Sequence, residues 1–303
     1  VDEDVDDVEN NKNSEIIFYF DVLISFVSVR PRPKTEDPDA FDAHLSEFFD
    51  GANKLLENIN DDQELIAVIG KSVCMFANAI PQSMARSPGS SEFVELLLKG
   101  GENQQVAADF LFRACNINSL LSTHYELFLS SCTELLLVNQ QSSRVVVDVC
   151  GAIQLLPNPE KFENFTQIIE LLIKCLYEIS EEEVVTSEKS GDDCAEGTDV
   201  ERILALSLAL RKLVNDSTFE NNFTNIEDDS IKKLNAMVDN LKNQNSEQNG
   251  KIVSCACLMS ILVKLHCEKD KNFNKLTEEY LNWSLTHFKM PSVFDIMKEM
   301  IEH

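Results

Sequence analysis

The residues best able to hold a metal ion or to act as nucleophiles are nine cysteines and five histidines. The nearest approach to a metal-ligand cluster combines Cys255, Cys257, His266 and Cys267. On one helix, side chains two residues apart point about 200° away from each other, so Cys255 and Cys257 cannot both coordinate one ion. The cysteines form no C-x-x-C pair, and the histidines form no H-E-x-x-H motif. The sequence therefore predicts no metal site.

Motifs for phosphate binding and for acid–base chemistry are also missing from the sequence. It contains neither the G-x-x-x-x-G-K loop nor the G-x-G-x-x-G turn. With 52 acidic residues, paired carboxylates arise anywhere, and no pair stands out for general acid–base work. No flanking signature marks a cysteine and a histidine as a nucleophilic pair. We therefore predict no catalytic residues, no cofactor and no enzymatic activity.

The cysteines and the apolar runs indicate the compartment. The number of cysteines is odd and most lie within apolar helical patterns, which is typical of buried thiols in a reducing compartment. The first residues, Val1-Asp2-Glu3-Asp4, do not resemble the basic and apolar start of a signal peptide. The longest apolar run, residues 16–29, contains Asp21 and is shorter than the ~20 residues that cross a membrane. We expect a soluble intracellular protein of the cytoplasm, the nucleus or both.

The net charge of −26 is concentrated in two acidic stretches. Residues 1–10 contain six acids and no base, and residues 178–201 contain ten acids and one base, so together they hold −15. Low hydrophobicity and like charge oppose collapse into a core. We predict a disordered tail at 1–12 and a single domain at 13–303, interrupted by a disordered acidic loop at about 180–197. The sign of the charge argues against direct binding of nucleic acid or of an anionic membrane surface.

The acidic loop contains candidate interaction and modification sites. Glu181, Glu182 and Glu183 would attract a basic partner, although a solvated loop with no task is the simpler interpretation. Ser180 and Ser190 each have an acid three residues later, which is the pattern of acidophilic kinase sites. They are candidate phosphorylation sites, and a phosphate there would add further negative charge.

The clearest cluster of positive charge lies near the start of the chain. Arg30, Arg32 and Lys34 alternate with prolines, which force an extended backbone with the basic side chains projecting outward. Three interpretations stay open. The segment pairs with the acidic tail or with the acidic surface of the chain itself, it is a plain linker, or it contacts a partner.

Apolar residues recur at helical spacing along most of the chain, while glycine and proline are sparse. We predict helices at 37–59, 62–80, 91–99, 104–115, 118–138, 142–156, 160–179, 198–213, 231–241, 252–266, 273–288 and 291–301. A capping box at Thr198 and Glu201 opens the eighth of these. The run at 16–29 favours a helix over a strand. Trp283 lies between Leu281 and Leu285 and is predicted to pack rather than to anchor a partner.

Paired, these helices make units of about 40–45 residues, and residues 105–115 are rich in the small residues of a repeat's second helix. In period and pattern, most of residues 36–303 resembles the HEAT and armadillo class of α-solenoids. The resemblance implies an all-α fold, a right-handed superhelical stack of helical hairpins with about a dozen helices.

The resemblance to HEAT and armadillo proteins also implies a function. We expect a non-enzymatic scaffold or adaptor that holds a basic or amphipathic segment of a partner protein within an intracellular complex. One alternative is a regulator, such as an exchange factor or inhibitor, of a nucleotide-binding partner such as a GTPase or an Hsp70-type ATPase. A third hypothesis is a helical enzyme whose site assembles from distant residues. The oligomeric state is left open.

Overall fold

The computed structural model describes residues 18, 50, 63–79, 88–99, 104–157, 165–187, 193–216, 226, 228–243, 248–269, 273–287 and 289–302. Within these residues the protein forms eleven helices and no strand, which confirms the all-α prediction. The helices are α1 (Gln63–Ala79), α2 (Pro88–Lys99), α3 (Gln104–Cys115), α4 (Asn118–Val138), α5 (Ser143–Leu155), α6 (Phe165–Ser187), α7 (Asp193–Asp216), α8 (Asp228–Asn243), α9 (Asn249–Lys269), α10 (Phe273–Thr286) and α11 (Pro291–Glu302).

Most helix bounds agree with the apolar periodicity, and the differences have local reasons. α2 begins at Pro88 rather than at Ser91 because the fixed backbone of proline suits the first helical turn. α8 begins at Asp228, where two acids lie at the positive end of the helix dipole. The predicted helix at 37–59 and the apolar run at 16–29 lie outside the described residues, apart from Asp50 and Phe18, which are helical.

The helices on either side of the acidic loop extend further than the sequence predicts. α6 continues to Ser187 and α7 begins at Asp193, so Thr198 lies inside a helix and the prediction that it caps one is wrong. Glutamate is a good helix former, and a run of glutamates therefore does not by itself end a helix. Residues 1–12 and 188–192 lie outside the described part of the chain. The disorder of the tail and of the loop stays a prediction.

The chain divides into two compact units, Val1–Leu135 and Leu136–His303. In the first unit, α3 packs against α1 and α2. The contact between α1 and α3 is close, because a Cβ atom at Gly70 would lie 3.3 Å from a ring carbon of Phe110. Phe93 and Leu111 are fully buried in the same unit. The hydroxyl of Ser119 at the start of α4 donates to the carbonyl of Ala77 at 3.0 Å.

The second unit is organised around two buried helices. α7 packs against α5, α6 and α9, while α9 packs against α7, α8, α10 and α11. α6 also contacts α8, and α10 contacts α11. The central position of α9 follows from its sequence, since the run from Ser254 to Met259 is buried on every side of the helix. Contacts therefore join helices that are consecutive in the chain, and they also join pairs of helices that have one other helix between them in the sequence.

Candidate functional site

The sequence-predicted interaction residues fall where the structure describes few side chains. Arg30, Arg32, Lys34 and Ser190 lie outside the described residues. Ser180 and residues 181–183 belong to the helical backbone of α6, and their side chains are not among those described. Partner binding at these residues and phosphorylation of the two serines stay predictions.

The described thiols are poor nucleophiles. Seven cysteines are free and buried, in agreement with the expectation of buried thiols: Cys74, Cys115, Cys132, Cys150, Cys175, Cys255 and Cys257. Burial raises the pKa of Cys74 and of Cys115 to about 12, and that of Cys175 to about 11. A reactive cysteine needs the opposite shift, because the thiolate is the attacking species. These side chains therefore act as small apolar residues of the core.

The nearest candidate for a metal site also packs as core. Cys255 and Cys257 are both buried in α9, and the Sγ atom of Cys255 lies 4.0 Å from the carbonyl oxygen of Val238 on α8. The side chains of His266 and Cys267 lie outside the described residues. Where side chains are described, no group of three or more metal-binding residues comes together.

His124 is a buried histidine of the first unit. It lies at a kink in α4, where its backbone has φ −120° and ψ 23°, and its ring centre is 6.0 Å from that of Phe128. Burial lowers the pKa of His124, and the negative charge of Glu95 opposes this shift with a smaller effect. A neutral imidazole against an aromatic ring is a packing element, and the protonated form is disfavoured there.

Arg202 is a buried cation with two assigned partners. Its Nη1 atom donates to Asp199 Oδ1 at 3.0 Å and its Nη2 atom donates to the carbonyl of Gln140 at 3.0 Å. The side chain of Arg202 is 7 % exposed and that of Asp199 is 25 % exposed. The guanidinium thus joins α7 to the turn between α4 and α5, across 62 positions of sequence.

A second polar contact links α8 to α10. Lys242 Nζ lies 2.6 Å from Glu279 Oε1 and 5.8 Å from the ring centre of Tyr280. Tyr280 is buried, and burial raises the pKa of its hydroxyl. One ammonium group therefore makes an ion pair and a cation–π contact with consecutive residues of α10. This arrangement holds the middle of α10 against the last turn of α8.

Trp283 is half-buried on α10, and whether it packs or anchors a partner stays a prediction. Its ring centre lies 4.5 Å from the ring centre of His287, with the planes tilted by 34°. The carbonyl oxygen of Trp283 accepts a hydrogen bond from the hydroxyl of Thr286 at 2.6 Å. Leu285 on the same helix is an exposed apolar residue.

The last helix carries apolar residues on two faces. Val293, Ile296 and Met300 are buried. Phe294 is 48 % exposed and Ile301 is 64 % exposed, while Met290 and Met297 are half-buried. We call Met290, Phe294, Met297 and Ile301 the α11 seam. Sequence reasoning placed the helix but missed the seam, although the spacing of its residues was readable as a second apolar stripe.

No described helix is long and apolar enough to cross a membrane. Comparisons with protein-family models, with curated proteins and with solved structures find no match.

Proposed function

We propose that the protein is a non-enzymatic binding scaffold of the HEAT and armadillo type, which holds a basic or amphipathic segment of a partner protein within an intracellular complex. The observation that supports this proposal most directly is the order of helix contacts in the second unit. In that unit α5 contacts α7, α7 contacts α9 and α9 contacts α11, while α6 contacts α8. Stacked helical hairpins give this order, because each repeat touches only its neighbours.

A stack of hairpins suggests a binding role for a geometric reason. Each hairpin is rotated slightly relative to the one before it, so a right-handed superhelix of hairpins has a long concave surface. Such a surface accommodates an extended segment or a helix of another protein over many contacts. On this proposal the buried helices α7 and α9 support the surface, and the residues that touch the partner lie on the exposed faces.

The charge of the chain supports a basic partner. The protein carries a net charge of −26, of which −15 belongs to residues 1–10 and 178–201. A field of this size attracts cationic segments from a distance and accelerates their association. The attraction weakens as salt is added, since the Debye length at physiological ionic strength is only about 8 Å.

The described thiols support a role without covalent catalysis. Burial raises the pKa of Cys74, Cys115 and Cys255 to about 12, far above the range in which a thiolate is populated at neutral pH. A thiol enzyme needs an accessible group whose pKa is lowered instead.

The test is co-purification of the tagged protein from its native source, with chemical crosslinking and mass spectrometry to locate the contacts. We expect a stoichiometric partner whose crosslinked peptides are rich in lysine and arginine. Substitution of Glu181, Glu182 and Glu183 by glutamine keeps helix-forming residues in place and should weaken recovery, most clearly at low salt. The matched control replaces Glu92, Glu126 and Glu278, three exposed glutamates outside the two acidic stretches, by glutamine and should leave recovery unchanged. Recovery of no stoichiometric partner under any of these conditions contradicts the proposal.

A further inference from the structure

We draw no further inference here: the strongest candidate, the α11 seam with its exposed Phe294 and Ile301 on the surface of the second unit, carries none because nothing in the structure shows what covers it.

Discussion

Replacement of Arg202 by methionine tests whether a buried cation holds α7 to the turn between α4 and α5. The guanidinium donates to Asp199 and to the carbonyl of Gln140, both at 3.0 Å, and the side chain is 7 % exposed. Methionine keeps most of the length and the apolar packing of the arginine stem but removes both donors. The carbonyl of Gln140 then loses the partner that the structure assigns to it.

The magnitude follows from the two hydrogen bonds and from burial. A hydrogen bond to a charged group contributes about 1.5–3 kcal/mol, so the two bonds together set an upper limit of about 6 kcal/mol. Removing a buried charge recovers part of its desolvation cost, and the 25 % exposure of the Asp199 side chain lets water reach the carboxylate. The expected loss in the free energy of unfolding is therefore about 2–3 kcal/mol.

The assay is urea unfolding followed by the fluorescence of Trp283, the single tryptophan, which lies in the second unit together with Arg202. With a urea m-value of about 2 kcal/mol/M, the midpoint of Arg202→Met should fall by about 1 M. Lys174→Met is the control in the same unit. Lys174 Nζ lies 3.7 Å from Glu178 Oε1, and both side chains are exposed, so its loss should cost about 0.5 kcal/mol or less.

The comparison refutes the reasoning if the two variants have the same midpoint. Equal midpoints would mean that burial adds nothing to the worth of an ion pair at this position. If Arg202→Met is more stable than the unmodified protein, the desolvation cost of the guanidinium exceeds the stabilisation from its hydrogen bonds to Asp199 and Gln140. Hydrogen exchange at the α4–α5 turn adds a local measurement, since faster exchange there is expected when the contact with Gln140 is lost.

Three further predictions address core packing, pH and surface charge. Ile296→Ala should lower the free energy of unfolding by about 2–5 kcal/mol because the side chain is buried on α11, whereas Ile301→Ala should change it by no more than about 0.5 kcal/mol. Both are measured by Trp283 fluorescence in urea. Equal losses of stability would contradict the assignment of Ile296 to the buried face and of Ile301 to the exposed face. Burial lowers the pKa of His124, so the unfolded state binds a proton at this histidine more readily than the folded state does below about pH 6.5. Thermal stability, measured by circular dichroism, should therefore fall as pH falls, and should fall less in His124→Gln. If the variant has the same pH dependence as the unmodified protein, other groups cause that dependence. The hydrogen bond and the charge of Lys233 hold the pKa of Asp229 below its ordinary value, so the contribution of Asp229 to stability is lost as pH falls through that pKa. An NMR titration should show a higher pKa for Asp229 in Lys233→Met. An unchanged pKa would exclude Lys233 as the cause of the shift.

The helices themselves were predictable from local pattern, and the errors fall where local pattern is ambiguous. Gln104–Cys115 and Asn118–Val138 agree with the apolar periodicity to the residue. The start of α7 was misplaced because Thr198 and Glu201 have the spacing of a capping box, a signal that also occurs inside helices. A short motif reports local hydrogen-bonding capacity, and the preceding residues decide whether the chain is already helical.

The surfaces of the protein were harder to predict from the sequence than the helices were. The acidic segment at 181–183 was singled out by charge, which composition alone displays. The α11 seam was missed because its apolar residues read as part of the core. A buried arginine such as Arg202 has no distinguishing sequence signal, since its partner Gln140 lies 62 residues away.

The sequence by itself determined the class of structure, because the spacing of apolar residues in a helix follows from 3.6 residues per turn and needs no information about neighbours. It also indicated that the seven cysteines whose side chains the structure describes are buried, since they lie in those apolar stripes. Tertiary structure decided which stripe of α11 is covered. Val293, Ile296 and Met300 have helical spacing, and so does the α11 seam. Only the position of α9 and α10 buries the first set and leaves the seam exposed, because burial depends on which elements meet in space.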